Sequence, residues 1–108
     1  NIMNHSFNLD IATRLNSVEK AVLIENIALW IIRNKANNEN FYDGEYWTCN
    51  SATALSELLP YFKPSKIYKL LKSLESDGIL KSANYNKVAY DRTKWYTITD
   101  KSITKIYK

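Results

Sequence analysis

A chain of 108 residues with one cysteine, one histidine and two glycines excludes an intrachain disulfide, a zinc centre and a glycine-rich phosphate loop of its own. Its length fits one domain that buries about 60 to 70% of its unfolded surface, so a core of ordinary side chains suffices. The net charge of +4 is unevenly placed: residues 1–62 carry four Lys/Arg against seven Asp/Glu, net −3, and residues 63–108 carry eleven against four, net +7.

Residues 1–6 read as a disordered leader in which His5 is solvated and Met3, after Asn1 and Ile2, is the expected native start. Residues 7–108 read as the domain, and the tail KSITKIYK suggests a longer parent protein. The one long apolar run, Ala21–Ile32, is broken by Glu25 and Asn26 and is too short to span a bilayer. With no secretory signal, the reading is a cytoplasmic protein away from the membrane.

In chain order, Phe7–Leu15 predicts a short helix capped by Asn8 with Ile11, Ala12 and Leu15 inward. Asn16 and Ser17 stop and restart the chain. The helix over Val18–Lys35 has apolar residues on more than one face, which predicts a central scaffold touched on two sides and a candidate face for a homodimer. After a polar break, Asp43 and Gly44 mark a turn and Glu45–Cys49 a short strand.

Ser51–Leu80 predicts two helices joined by a tight turn. The first, Ser51–Leu59 with Asn50 as cap, carries Leu55, Leu58 and Leu59 inward and continues through Pro60 to Phe62. In the second, Ile67, Leu70, Leu71 and Leu74 recur at i, i+3, i+4 and i+7, Pro64 suits the first helical position, and Gly78 is a left-handed stop. The opposite face is basic and hydroxylated: Ser65, Lys66, Lys69, Lys72, Ser73 and Ser76, with Tyr68 on the flank.

Ile79–Asn84 and Lys94–Thr99 predict a β-hairpin around a polar loop, with Tyr96 and Ile98 on one side and Trp95 and Thr97 on the other. Asp100 caps a last helix striped by Ile103, Ile106 and Tyr107. The order helix, strand, helix, helix, strand, strand is that of a winged helix-turn-helix, mainly α with a small antiparallel β-sheet. Trp30, Ile31, Leu55, Leu58, Ile67, Leu70, Leu71, Leu74, Ile79 and Ile98 form the expected core, with Trp47 inward as well.

Basic residues concentrated at and after the second helix of such a pair point to double-stranded DNA. Ser65, Lys66, Tyr68, Lys69, Lys72 and Ser73 would approach the major groove or its phosphates, and Lys87, Arg92 and Lys94 would serve the wing. Lys20, on the scaffold helix in the acidic half, serves as a control position. Tyr85 and Tyr90 in the wing loop are placed to lie on a sugar-phosphate backbone. Asp91 and Arg92 pair with each other or with nearby backbone, Arg92 being either a brace or a phosphate contact. Trp95, on the other face from Ile98, is either core or a stacking surface for nucleic acid.

YDGEYWTCNS (residues 42–51), LKSLESDGIL (residues 71–80) and Asn86 with DRTKWYTITD (residues 91–100) resemble the N-terminal winged-helix domain of replication-associated proteins from phages, prophages and conjugative elements of low-GC Gram-positive bacteria. The resemblance covers rather more than half of the chain. It implies a role like that of a replication initiator or replisome organiser, with replication proteins as partners and a following helicase-loading or oligomerising region. The family often has Ser before the second helix, where this chain has Lys63.

No enzyme is expected and no cofactor or metal. Cys49 has no His placed to activate it, and Glu75 and Asp77 belong to the helix end. The competing function is a winged helix that binds protein through the long second helix and the acidic first half.

Overall fold

The computed structural model describes residues 6–49 and 51–107. His5 and the expected cap Asn50 lie outside the described residues. The chain is mainly helical with two small antiparallel sheets. Helix α1 (Leu9–Leu15) is capped by Asn8, whose side chain accepts from the Ile11 N–H. Asn16 then takes a left-handed conformation, and Ser17 donates its N–H back to the Ala12 carbonyl while its hydroxyl caps α2 (Val18–Ala36). Asn tolerates this conformation better than a branched residue, so one pair of residues ends a helix and begins the next.

Helix α2 is wrapped on its first half only, where Ala21, Val22, Leu23 and Ile24 are all buried. Past Ala28 a single face remains covered. There Leu29 and Ile32 are exposed, and Trp30, expected in the core, is half-buried with the Arg33 guanidinium 5.1 Å over its ring. Ile31, also expected in the core, is half-buried and packs against its edge, and Trp30 falls about 100° further round the helix.

Asp43 and Gly44 both have positive φ, the signature of a two-residue hairpin turn, and join β1 (Phe41–Tyr42) to β2 (Glu45–Tyr46). The strand expected over Glu45–Cys49 is therefore spent mainly on this local hairpin, the first of the two sheets. Only Thr48 reaches the later one, exchanging hydrogen bonds of 2.9 and 2.8 Å with Tyr96.

Helix α3 (Ala52–Leu58) is capped by the Ser51 hydroxyl, with Leu59 at its C-cap. Its buried stripe runs through Leu55 and Leu59, with Ala52 packed beside them, and Leu58 is exposed because it lies one residue, about 100°, off that stripe. Residues 59–62 form a turn rather than more helix, fixed where the Ser56 hydroxyl donates to the Phe62 carbonyl at 2.6 Å. Helix α4 (Pro64–Ser76) follows, then β3 (Leu80–Ala83) paired with β4 (Trp95–Ile98) from Leu80↔Ile98 to Ala83↔Trp95. All of β4 is buried: Tyr96 and Ile98 join the main core, while Trp95 and Thr97 face the β1–β2 hairpin, Thr97 donating to the Tyr46 carbonyl.

Asp100 caps α5 (Lys101–Thr104), and a 3-10 turn (Lys105–Tyr107) closes the described chain. Ile103 is fully buried, but Ile106 is exposed because the tighter turn rotates it off the stripe. Tyr107 donates to Glu25, which also accepts from Ser6, so a carboxylate inside the apolar run of α2 ties down both described ends. No helix among the described residues is long and apolar enough to cross a membrane.

Candidate nucleic-acid interface

Helix α4 has ends that set its phase. Pro64 occupies the first turn, and Lys63 stands at the N-cap without a side-chain cap bond. At the other end Gly78, at φ +74, lets its own N–H reach the Glu75 carbonyl and the Ile79 N–H reach the Leu74 carbonyl, both at 3.0 Å. This double closure needs the left-handed residue that glycine supplies. With Ile67, Leu70, Leu71 and Leu74 buried, the crest facing away from Leu74 consists of Ser65, Lys69, Lys72 and Ser76, all exposed.

The other sequence-derived residues of α4 fall on its two flanks. Toward α2, Lys66 pairs with Glu19 at 3.3 Å, and the Ser73 hydroxyl accepts from Lys20 Nζ at 2.8 Å. Lys20 also lies 3.5 Å from Asp77, so it touches the end of α4 and is no longer a remote control position. Toward the β3–β4 hairpin stand exposed Tyr68 and half-buried Glu75; Glu75 accepts from Ser82 and pairs with Lys94 at 3.8 Å. Lys94 thus sits at the foot of the loop, next to the last ladder pair Ala83↔Trp95 and beside α4, rather than at the loop tip.

In the loop, Lys87 and Arg92 are exposed, with Tyr90 the most exposed large hydrophobic side chain among the described residues at 85%. Asp91 does not pair with Arg92: its carboxylate accepts from the Thr93 N–H at 3.0 Å, and that contact and the Thr93 hydroxyl hold its carboxyl below the usual range. Tyr85 does not face outward as expected. It stacks on Tyr42 at 4.5 Å, lies edge-on to Trp47 and Trp95, and donates to Asp43.

Lys66 and Lys94 are drawn into exposed ion pairs, whereas Lys69, Lys72, Lys87 and Arg92 join none of the ion pairs among the described residues. Exposed pairs of this kind are worth about 0 to 1 kcal/mol and give way to a phosphate. The sequence reading puts Ser76 on the outer face of α4 but counts neither it nor Lys63 among the DNA contacts, although Ser76 follows Lys72 by one helical turn and shares its crest. No group of three His, Cys, Asp or Glu side chains among the described residues could hold a metal. Burial, with Asp91 adding, pushes the Cys49 thiol up, away from the reactive thiolate.

The hydroxyls of Tyr61, Tyr85, Tyr96 and Tyr107 are all pushed up, Tyr107 by burial and by its hydrogen bond to Glu25. Tyr85 is pushed up to about 12, chiefly by its hydrogen bond to Asp43, and Tyr96 to about 12, chiefly by burial with Glu75 adding. Folded values above the unfolded value of about 10 mean that their stabilisation is complete below pH ~10 and is lost as pH rises through about 12. Base titration is expected to show part of the tyrosinate absorbance appearing only with loss of the fold. Complete ionisation of all eight tyrosines with the fold intact would contradict this.

No protein-family model matches this chain, and no curated protein or solved structure is significantly similar to it.

Proposed function

We propose that this chain is a winged helix that binds double-stranded DNA, as part of a replication or regulatory protein of a mobile element. Helix α4 is the element presented to the major groove and the β3–β4 loop is the wing. The observation that carries the reading is the α4 crest, where Lys69 and Lys72 stand exposed with Ser65 and Ser76, opposite four buried aliphatic residues. The order α2, Thr48 bridge, α3, α4, β3, β4 supports it, as do the exposed cations of the loop that follows. Selection of bound sites from a random duplex pool tests the reading: an enriched site supports it, and retention of no duplex at low salt rejects it.

A second reading, association with another copy, rests on α2. Its outer half exposes Leu29 and Ile32 beside an apolar groove of about 350 Å³ lined by Ile31, Ile32, Tyr46, Ile98 and Tyr107. Lys35 and Glu45 also line the groove, so it carries both signs of charge, which a two-fold interface can pair with itself. Sedimentation is expected to show a dimer that Ile32→Glu converts to monomer. A wild-type chain that stays monomeric at high micromolar concentration would remove this reading.

A further inference from the structure

The ladder between β3 and β4 ends at Ala83↔Trp95, and residues 84–94 run beyond it with no strand to hold them. A loop of that length with no partner is ordinarily mobile. This one is cross-braced from inside. The Asn86 amide donates to the carbonyls of Asp91 at 3.0 Å and Thr93 at 2.8 Å, and its oxygen accepts from the Trp95 indole N–H at 2.8 Å. Asn84 Oδ1 accepts from the Asn86 N–H at 2.9 Å. Beside this brace, Tyr85 is packed against Tyr42, Trp47 and Trp95 and hydrogen-bonded to Asp43, which fixes the loop to the β1–β2 hairpin. The Trp47 indole in turn donates to the Tyr42 carbonyl at 2.8 Å.

We infer that Asn86 and Tyr85 are positioning residues, which hold the loop against the β1–β2 hairpin so that Lys87 and Arg92 meet the phosphate backbone already ordered. This rests on the DNA-binding reading above for what the cations meet, but the loop's order is a property of the free chain. The two distant stretches around Tyr42–Trp47 and Tyr85–Trp95 thereby form one unit, and the rings of Tyr42, Trp47, Tyr85 and Trp95 and the Asn86 amide are engaged with each other rather than offered to bases. A loop ordered before contact loses less entropy on binding, so its cations count for more.

The test uses the full chain, with Asn86→Ala and the milder Tyr85→Phe, which keeps the ring stack and removes only the bond to Asp43. Each variant is first checked for an unchanged helical spectrum. Without any DNA, tryptic cleavage after Lys87 and Arg92 should rise at least about tenfold in Asn86→Ala, because opening the loop no longer breaks three side-chain hydrogen bonds; Tyr85→Phe should show a smaller rise at the same sites.

With a duplex, Asn86→Ala should lower the slope of log K against log salt by about as much as the double variant Lys87→Ala/Arg92→Ala, roughly 1 to 2. Added to that double variant it should have no further effect. A general loss of folded protein would reduce the bound fraction and leave the slope alone. Cleavage unchanged in both variants would overturn the inference whether or not DNA binds, as would an Asn86→Ala effect that simply adds to the double variant. Faster cleavage in a chain whose wild type binds no duplex would uphold the brace and reject the function it was assigned.

Discussion

Truncation of Leu74 to Ala is expected to lower the unfolding free energy by about 2 to 5 kcal/mol, whereas Leu58→Ala should cost under about 1 kcal/mol. Leu74 is fully buried on the inner face of α4, and its carbonyl accepts the Ile79 N–H in the closure at the helix end. Removing its side chain leaves a cavity where α4, α2 and the start of the hairpin converge, a site that several rigid elements prevent from collapsing. A domain of this size holds roughly 5 to 15 kcal/mol in total, so the loss is a large fraction. Leu58 stands 37% exposed and leaves no enclosed space behind. Denaturant unfolding of both variants measures the difference, and equal losses would mean that the phase assigned to α3 or α4 is wrong.

The elements readable from sequence are those whose pattern repeats within a few residues. Helix α4 has four aliphatic residues on one period with Pro64 and Gly78 at its limits, so both its range and its buried face follow from local rules. Leu58 and Trp30 show the resolution of such reading: each lies about one residue, or 100°, from a covered face, and only the packing of neighbours decides its burial. The β1–β2 hairpin has two residues per strand, too few for alternation to register, although the Asp43–Gly44 turn between aromatic residues carried the signal. Tyr85 was misplaced because its hydroxyl partner Asp43 is 42 positions away, and Lys20 because Ser73 is 53 positions away. The candidate interface was legible as a helix face and a charge imbalance. Its division into a free crest and engaged flanks depends on Glu19 and Glu75, whose approach to Lys66 and Lys94 no local pattern encodes.

That division sets the expected ranking for DNA binding. Lys69→Glu and Lys72→Glu should each weaken duplex binding at least about tenfold and lower the salt slope by roughly 1, while Lys66→Ala and Lys94→Ala do less. The crest lysines are exposed, belong to no ion pair among the described residues, and lie within one helical turn of each other. Lys66 and Lys94 must first leave Glu19 and Glu75, which discounts their gain. If the wild-type chain neutralises about five phosphates, log K falls with log salt at a slope near −4 to −5, and raising salt from about 50 to 200 mM weakens binding several hundredfold. Lys87→Ala should weaken binding modestly and alike for all sequences, because a phosphate contact carries no base information, whereas Ser65 or Tyr68 variants should shift which sequence is preferred. Lys105, exposed on the terminal 3-10 turn that packs against α2, replaces Lys20 as the control. Lys105→Glu changes the net charge as much as Lys69→Glu does, so a purely diffuse attraction predicts equal losses from the two. Titration of both variants against one duplex over a salt series separates a helix face that touches DNA from a chain that is merely basic, and equal losses or an affinity indifferent to salt would leave α4 without a recognition role.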